Sequence, residues 1–197
     1  MYADSELRDT IASCELILGG QKSGKSRRAE MLARKWLAQC DAHRASLIAT
    51  GCAWDDEMRE RIARHQRDRA ARVPGLATLE EPRDVAQMIT AHSRAEHLLV
   101  VDCLTLWLTN WLMPAESAGQ SEGGWAAQCA LFVDAVRDAP GPIILVGNEI
   151  GLGVIPMGRE VRAFVDALGM LNQQVAAAST RVTLMVAGLP LPLKDKA

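Results

Sequence analysis

The sequence predicts an α/β domain, a mostly parallel central sheet with helices on both faces. Three observations carry this. Continuously apolar runs recur at Leu16-Ile17-Leu18, Leu98-Leu99-Val100-Val101 and Ile143-Ile144-Leu145-Val146, and strands without polar alternation belong in sheets covered on both sides. Helix-periodic stretches lie between them, and such β-α alternation with crossover helices builds parallel sheets. The breaks fall at Gly19-Gly20, Pro74-Gly75 and Pro140-Gly141-Pro142, where glycine and proline punctuate the chain.

Taken in order, Glu15 to Leu18 reads as a strand running into a glycine-rich turn. Ser26 to Ala38 is a helix with Ala29, Leu32, Ala33 and Trp36 on one face. Ser46 to Thr50 is a second buried strand. A helix from Asp55 to about Arg69 opens with Asp55-Asp56-Glu57 at the positive end of its dipole. Leu76 to Glu81 is a short edge strand, Asp84 to His92 a helix, and His97 to Asp102 a strand. An apolar helix from Leu104 to Met113, a polar loop from Pro114 to Gly124, and a helix from Trp125 to Asp138 come next. Ile143 to Val146 is a further strand, a long helix covers about Gly158 to Ser179, and Arg181 to Ala187 is the last strand.

The 197 residues suffice for one core without staples. We expect residues 1–13 to be an N-terminal extension and 14–197 a single domain, with no internal repeat. A net charge of −2 is unsuited to displacing counterions from nucleic acid, and aromatic residues at 4% are too few for a base-stacking platform. The five cysteines form no CxxC pair, which fits reduced thiols in the cytoplasm. Met1 to Ser13 lacks the apolar core of a signal peptide, and no apolar run approaches the ~20 residues that span a bilayer.

Gly19-Gly20-Gln21-Lys22-Ser23-Gly24-Lys25-Ser26 satisfies the phosphate-binding pattern G-x-x-x-x-G-K-[ST] between a strand and a helix. This makes the domain P-loop NTPase-like. Its backbone N–H groups form an anion nest at a helix N-terminus. Lys25 is expected to bridge the outer phosphates and the Ser26 hydroxyl to ligate Mg²⁺. Asp102, at the end of an apolar strand, is placed to hold the same Mg²⁺ through water; the alternative is a cap on the following helix.

On the helix from Asp55, Met58, Ile62, His65 and Arg69 share one face at spacings of four, three and four. Arg59, Arg61, Arg64 and Arg67 flank it. Cations disfavour imidazolium, and arginines grip phosphate oxygens. Neutral imidazole with an anion clamp suits a covalent nucleotidyl-histidine; the alternative is a structural histidine beside a solvated face.

Four segments together resemble the bifunctional adenosylcobinamide kinase / adenosylcobinamide-phosphate guanylyltransferase family. They are residues 19–26; Ile48-Ala49-Thr50 with Asp55 to Met58, Arg61-Ile62, His65 and Arg69; Val101 to Asn110; and Asn148 to Pro156 with Arg162, Phe164, Asp166, Gly169, Asn172 and Gln173. The resemblance implies that His65 is the guanylylated residue. It implies nucleotide contacts from Gly19, Gly20, Gln21, Lys22, Ser23, Gly24, Lys25, Ser26, Ala49, Thr50, Gly51, Gln66, Arg67, Asp68, Arg69, Glu80 and Asp102. Within that set Glu80 would accept from the guanine N1–H and 2-amino group; the alternative is an exposed acid in the pair Glu80-Glu81. ATP or GTP would phosphorylate a corrinoid, and GTP would then donate GMP, in a cytoplasmic homotrimer without nucleic-acid partner or membrane span. The chain departs from the family at Ala70, where proline usually follows the arginine, at Leu76, usually aromatic, and in a lengthened stretch at Arg72 to Gly75.

Three other readings compete. A plain P-loop kinase leaves His65 idle. A regulatory GTP switch reads guanine with Asn-Lys-x-Asp, where this chain has Asn148-Glu149-Ile150. A degenerate paralogue would not need Lys25, Ser26, His65 and Asp102 together.

Overall fold

The computed structural model describes residues 10–53, 56–113, 124–154 and 156–196. Seven strands form one sheet in the order β3-β2-β4-β5-β1-β6-β7. They are β1 (Cys14–Gly19), β2 (Arg44–Ala49), β3 (Leu76–Glu80), β4 (His97–Asp102), β5 (Ile143–Val146), β6 (Arg181–Val186) and β7 (Leu189–Asp195). The first six are parallel, and β7 runs antiparallel to β6. Among the described residues six helices accompany them: α1 (Lys25–Gln39), α2 (Asp56–Arg72), α3 (Val85–His92), α4 (Leu104–Leu112), α5 (Gly124–Arg137) and α6 (Arg159–Ala178).

Alternate strand residues feed two apolar layers, as the two-residue period of a strand requires. Leu16, Leu18, Leu99, Val101 and Leu145 pack with Ile89, Trp107, Phe132, Leu168 and Leu171 from α3 to α6. On the other face Ile17, Leu47, Leu98, Val100 and Ile144 pack with Ala29, Leu32 and Ala33 of α1. The expected helices on both faces are present. Among the described side chains, α2 supplies none to either layer.

Two features differ from the sequence reading. Helix α2 runs to Arg72, nearly a turn beyond the expected end. Strand β7 was not anticipated, because Pro190 and Pro192 remove two N–H donors from what reads as a tail. It folds back through Ala187 and Gly188, at φ of 53° and 81°, a two-residue loop with the left-handed conformation of a type I′ hairpin. Most of the expected 1–13 extension and of the Pro114 to Gly124 loop lies outside the described residues. What is described of the former is attached to the sheet: Arg181 Nη1 donates to the Thr10 carbonyl at 2.6 Å, and Ile143 N donates to Ser13 O at 3.0 Å. Among the described residues no helix is long and apolar enough to cross a membrane.

Candidate active site

Six parallel strands end on one side of the sheet, and that carboxyl edge is where open α/β sheets bind ligands. Strand β1 ends at Gly19, and the loop to Lys25 turns tightly. Gly19 and Gly24 have φ of 153° and 102°, and Lys22 reaches 55°, the positive region that favours glycine. A Cβ at Gly19 would stand 2.6 Å from the Met185 carbonyl and from Ser23 Oγ, so the loop closes only with glycine there. The hairpin after β6 braces it, since Gly188 N donates to Ser23 O at 3.0 Å. Ser23 Oγ is buried without a hydrogen-bond partner among the described residues.

Lys25 opens α1 with its side chain buried, and Nζ donates to Gly20 O at 2.6 Å. Burial lowers the pKa of this ammonium, while Cys103 and the Asp102 carboxylate work against that. The amine therefore lies within the phosphate loop beside Asp102.

Asp102 is the point of convergence. Burial raises its carboxyl above the usual range; a hydrogen bond from Ser26 draws it back first, followed by the charges of Arg69, His65 and Lys25. Charges from α1 and α2 thus act on one carboxylate at the end of β4. The neighbouring thiol is no rival nucleophile, because burial and then Asp102 push Cys103 up to about 11, so it stays protonated at neutral pH.

The Asp102 proton is bound more tightly in the folded chain than in the unfolded one. Its contribution to stability therefore falls as pH rises from about 4 through the raised folded value. Asp102→Asn is expected to raise the melting temperature of the ligand-free protein at neutral pH. The gap to wild type should shrink toward pH 4, and nucleotide turnover should drop about 100-fold. Melts across that pH range with parallel assays check both.

Thr50 and Asn110 hold this corner in place. The Thr50 hydroxyl donates to Cys103 O at 2.7 Å and accepts from Cys103 N at 2.8 Å. Asn110 Nδ2 donates to Thr50 O at 2.8 Å and to Pro82 O at 2.9 Å. The ends of β2, β3 and β4 are thereby fixed to α4. Thr50 is fully buried, so its hydroxyl serves this brace. In register, Ala49 lies between Glu80 and Asp102, which sets the expected contacts 49–51, 80 and 102 in one row. Exposed Glu80 accepts from Gln66 Nε2 at 2.9 Å, tying α2 to β3. Arg67 and Asp68 stand on the exposed side of α2.

The segment after β5 reaches the same edge. Glu149 N donates to Gly19 O at 3.1 Å, Asn148 N donates to Thr105 Oγ1 at 3.0 Å, and Asn172 Nδ2 donates to Asn148 O at 3.1 Å. Sequence reasoning assigned no task to Thr105, Asn110 or Asn172, which act through backbone groups that no side-chain pattern announces. It also missed Glu30 and Arg72, paired at 3.1 Å.

A family model for cobinamide kinase / cobinamide phosphate guanyltransferase matches residues 15–193. The chain belongs to this family. Among its relatives is the bifunctional adenosylcobalamin biosynthesis protein CobP of Pseudomonas aeruginosa, 45% identical over 185 residues, 92% of this chain and 98% of the relative. CobU of Escherichia coli, with the same bifunctional description, is 34% identical over 187 residues, 91% and 98% of the two chains. Among solved structures, the flagellar accessory protein FlaH of Methanocaldococcus jannaschii superposes with a TM-score of 0.55 at 15% identity, covering 98% of this chain and 84% of that one. That likeness speaks to the α/β fold alone.

Among the described residues no three His, Cys, Asp or Glu side chains gather as a metal site. The Ser26 hydroxyl and the Asp102 carboxylate, joined by a hydrogen bond, are a sparse all-oxygen pair. That suits Mg²⁺, which keeps several waters and takes its other ligands from nucleotide phosphates.

Proposed function

We propose that this member of the family phosphorylates adenosylcobinamide with a nucleoside triphosphate and then guanylylates the product through His65. The single observation that carries the reading is that one buried carboxylate, Asp102, takes a hydrogen bond from Ser26 and feels the charges of Arg69, His65 and Lys25. A kinase alone needs Ser26, Lys25 and the aspartate; it has no use for a histidine at that place.

In the first reaction the loop at Gly19 to Ser26 holds the triphosphate, and Lys25 offsets charge on the outer phosphates. The corrinoid hydroxyl oxygen attacks the γ-phosphorus, and the bond to the nucleoside diphosphate breaks. In the second, a nitrogen of His65 attacks the α-phosphorus of GTP, and pyrophosphate leaves with the bridging electron pair. Arg69 faces the charge that develops there, and the Lys25 ammonium accepts the departing pyrophosphate. A phosphate oxygen of the phosphorylated corrinoid then attacks the guanylyl phosphorus. The P–N bond breaks, and His65 is restored. Mg²⁺ held at Ser26 and Asp102 would supply electrophilic stabilisation of phosphate charge. Glu80, anchored by Gln66 at the row's edge, is the proposed reader of guanine. The assembly is a cytoplasmic homotrimer in this reading, by likeness to the family.

The test is direct. Protein incubated with Mg²⁺ and GTP labelled at the α-phosphate should acquire label that is acid-labile and alkali-stable, the pattern of a phosphoramidate. Added phosphorylated corrinoid should then remove the label as a GDP-corrinoid. GTP binding without any labelling would eliminate the guanylyl half.

A further inference from the structure

The helix that carries His65 is joined to the molecule through charge more than through apolar contact. Among the described α2 residues only Arg69 is buried, and α2 enters neither apolar layer. One stripe of the helix follows from spacing. His65, Arg69 and Arg72 stand four and three residues apart, on one face of a helix. The P-loop helix α1 presents its own stripe of Ser26 and Glu30, four residues apart.

The two stripes meet in order. Ser26 hydrogen-bonds Asp102, and the charge of His65 acts on the same carboxylate. The charge of Arg69 acts on both Asp102 and Glu30. At the far end Arg72 Nε is 3.1 Å from Glu30 Oε2. Glu30 is 3% exposed, and its Oε2 makes no directed hydrogen bond among the described residues. Burial pushes the carboxyl up, while first Arg72 and then Arg69 hold it down against the smaller opposing effects of Asp102 and Asp68. A buried carboxylate held mainly by guanidinium charge adds little stability compared with an apolar residue of its size. What it supplies is an orientation between two helices.

We propose that Glu30 is a positioning residue: by holding Arg72, with Arg69 beside it, it docks α2 against α1 and so sets His65 over the phosphate loop. It touches no substrate. The proposal rests on the guanylyl-histidine reading above. Phosphoryl transfer draws on β1, α1 and β4 and not on the placement of His65, so it does not need this clamp.

The experiment compares Glu30→Gln, Arg72→Gln and the double variant in two assays, the rate of α-labelled GTP transfer to the protein and phosphorylation of the corrinoid from γ-labelled nucleotide. Each single variant should slow labelling about 10- to 100-fold, the scale of a misplaced reactive group, while phosphorylation stays near wild type. The double variant should be no slower than the slower single, because both break one contact. Glu30→Asp should recover part of the rate. Arg72 is 38% exposed, so Arg72→Gln carries the test should Glu30→Gln fold poorly. Labelling at the wild-type rate in both single variants would overturn the proposal. Equal loss of both activities, or additive losses in the double variant, would overturn it too. A wild type that binds GTP yet takes no label would instead remove the guanylyl reading and the proposal with it.

Discussion

His65→Ala is expected to abolish guanylyl transfer while corrinoid phosphorylation continues. The covalent label should disappear, and formation of the GDP-corrinoid should fall on the order of 10⁶-fold, the scale seen when a catalytic nucleophile is removed. The separation of the two activities follows from the geometry. Lys25 and Ser26 begin α1, and Asp102 ends β4, so the phosphate loop is complete without α2. His65 is exposed on α2, so its loss leaves no cavity in the core, and melting should be little changed. Quench-flow with α-labelled and γ-labelled nucleotide reads both reactions on the same preparation. Parallel loss of the two would mean that His65 serves phosphoryl transfer as well, contrary to the sequence proposed above.

Lys25→Ala is expected to behave differently, lowering both reactions by about 10³-fold, or about 4 kcal/mol of transition-state stabilisation each. In phosphoryl transfer the ammonium offsets charge on the oxygens around the migrating group. In guanylyl transfer the same phosphates become the leaving pyrophosphate, which needs the same cation. The lowered pKa of Lys25 comes from burial, and truncation removes that buried cation together with its bond to Gly20 O. Stability should therefore change little while both rates collapse. Pre-steady-state rates for each half, with GTP affinity measured separately, check the shared role.

Much of this was legible in the chain because the relevant residues are contiguous. Residues 19–26 announce strand, turn and helix in one stretch, and the structure holds Gly19 where only glycine fits. Asp102 was readable as the end of an apolar run, and His65 as one member of a helical stripe. Periodicity tells which residues share a face, but it does not tell which helix that face meets. The pairing of Arg72 with Glu30 spans two helices more than forty positions apart in sequence, and nothing local in either helix reports it. Thr50 and Asn110 were hidden for a related reason: their partners are backbone carbonyls and amides, which every residue possesses. The arginines around His65 suggested cationic surroundings, whereas the histidine also interacts with the charge of Asp102. Strand β7 was lost to its own prolines, which override the alternation of leucines in any pattern-based reading.

Those prolines also determine how the sheet ends. Leu189, Leu191 and Leu193 are all exposed on the outermost strand, a composition that invites another chain to add itself. Val186 and Leu189 close the two-residue hairpin, so the pairs Met185 with Pro190 and Thr183 with Pro192 fall at the positions that exchange no ladder bonds. The proline nitrogens consequently face outward, where β6 does not need them. An incoming strand would meet two missing donors at alternate positions and could not propagate a ladder. The molecule thus keeps a greasy flank that is open to side-chain contact but closed to growth by strand addition.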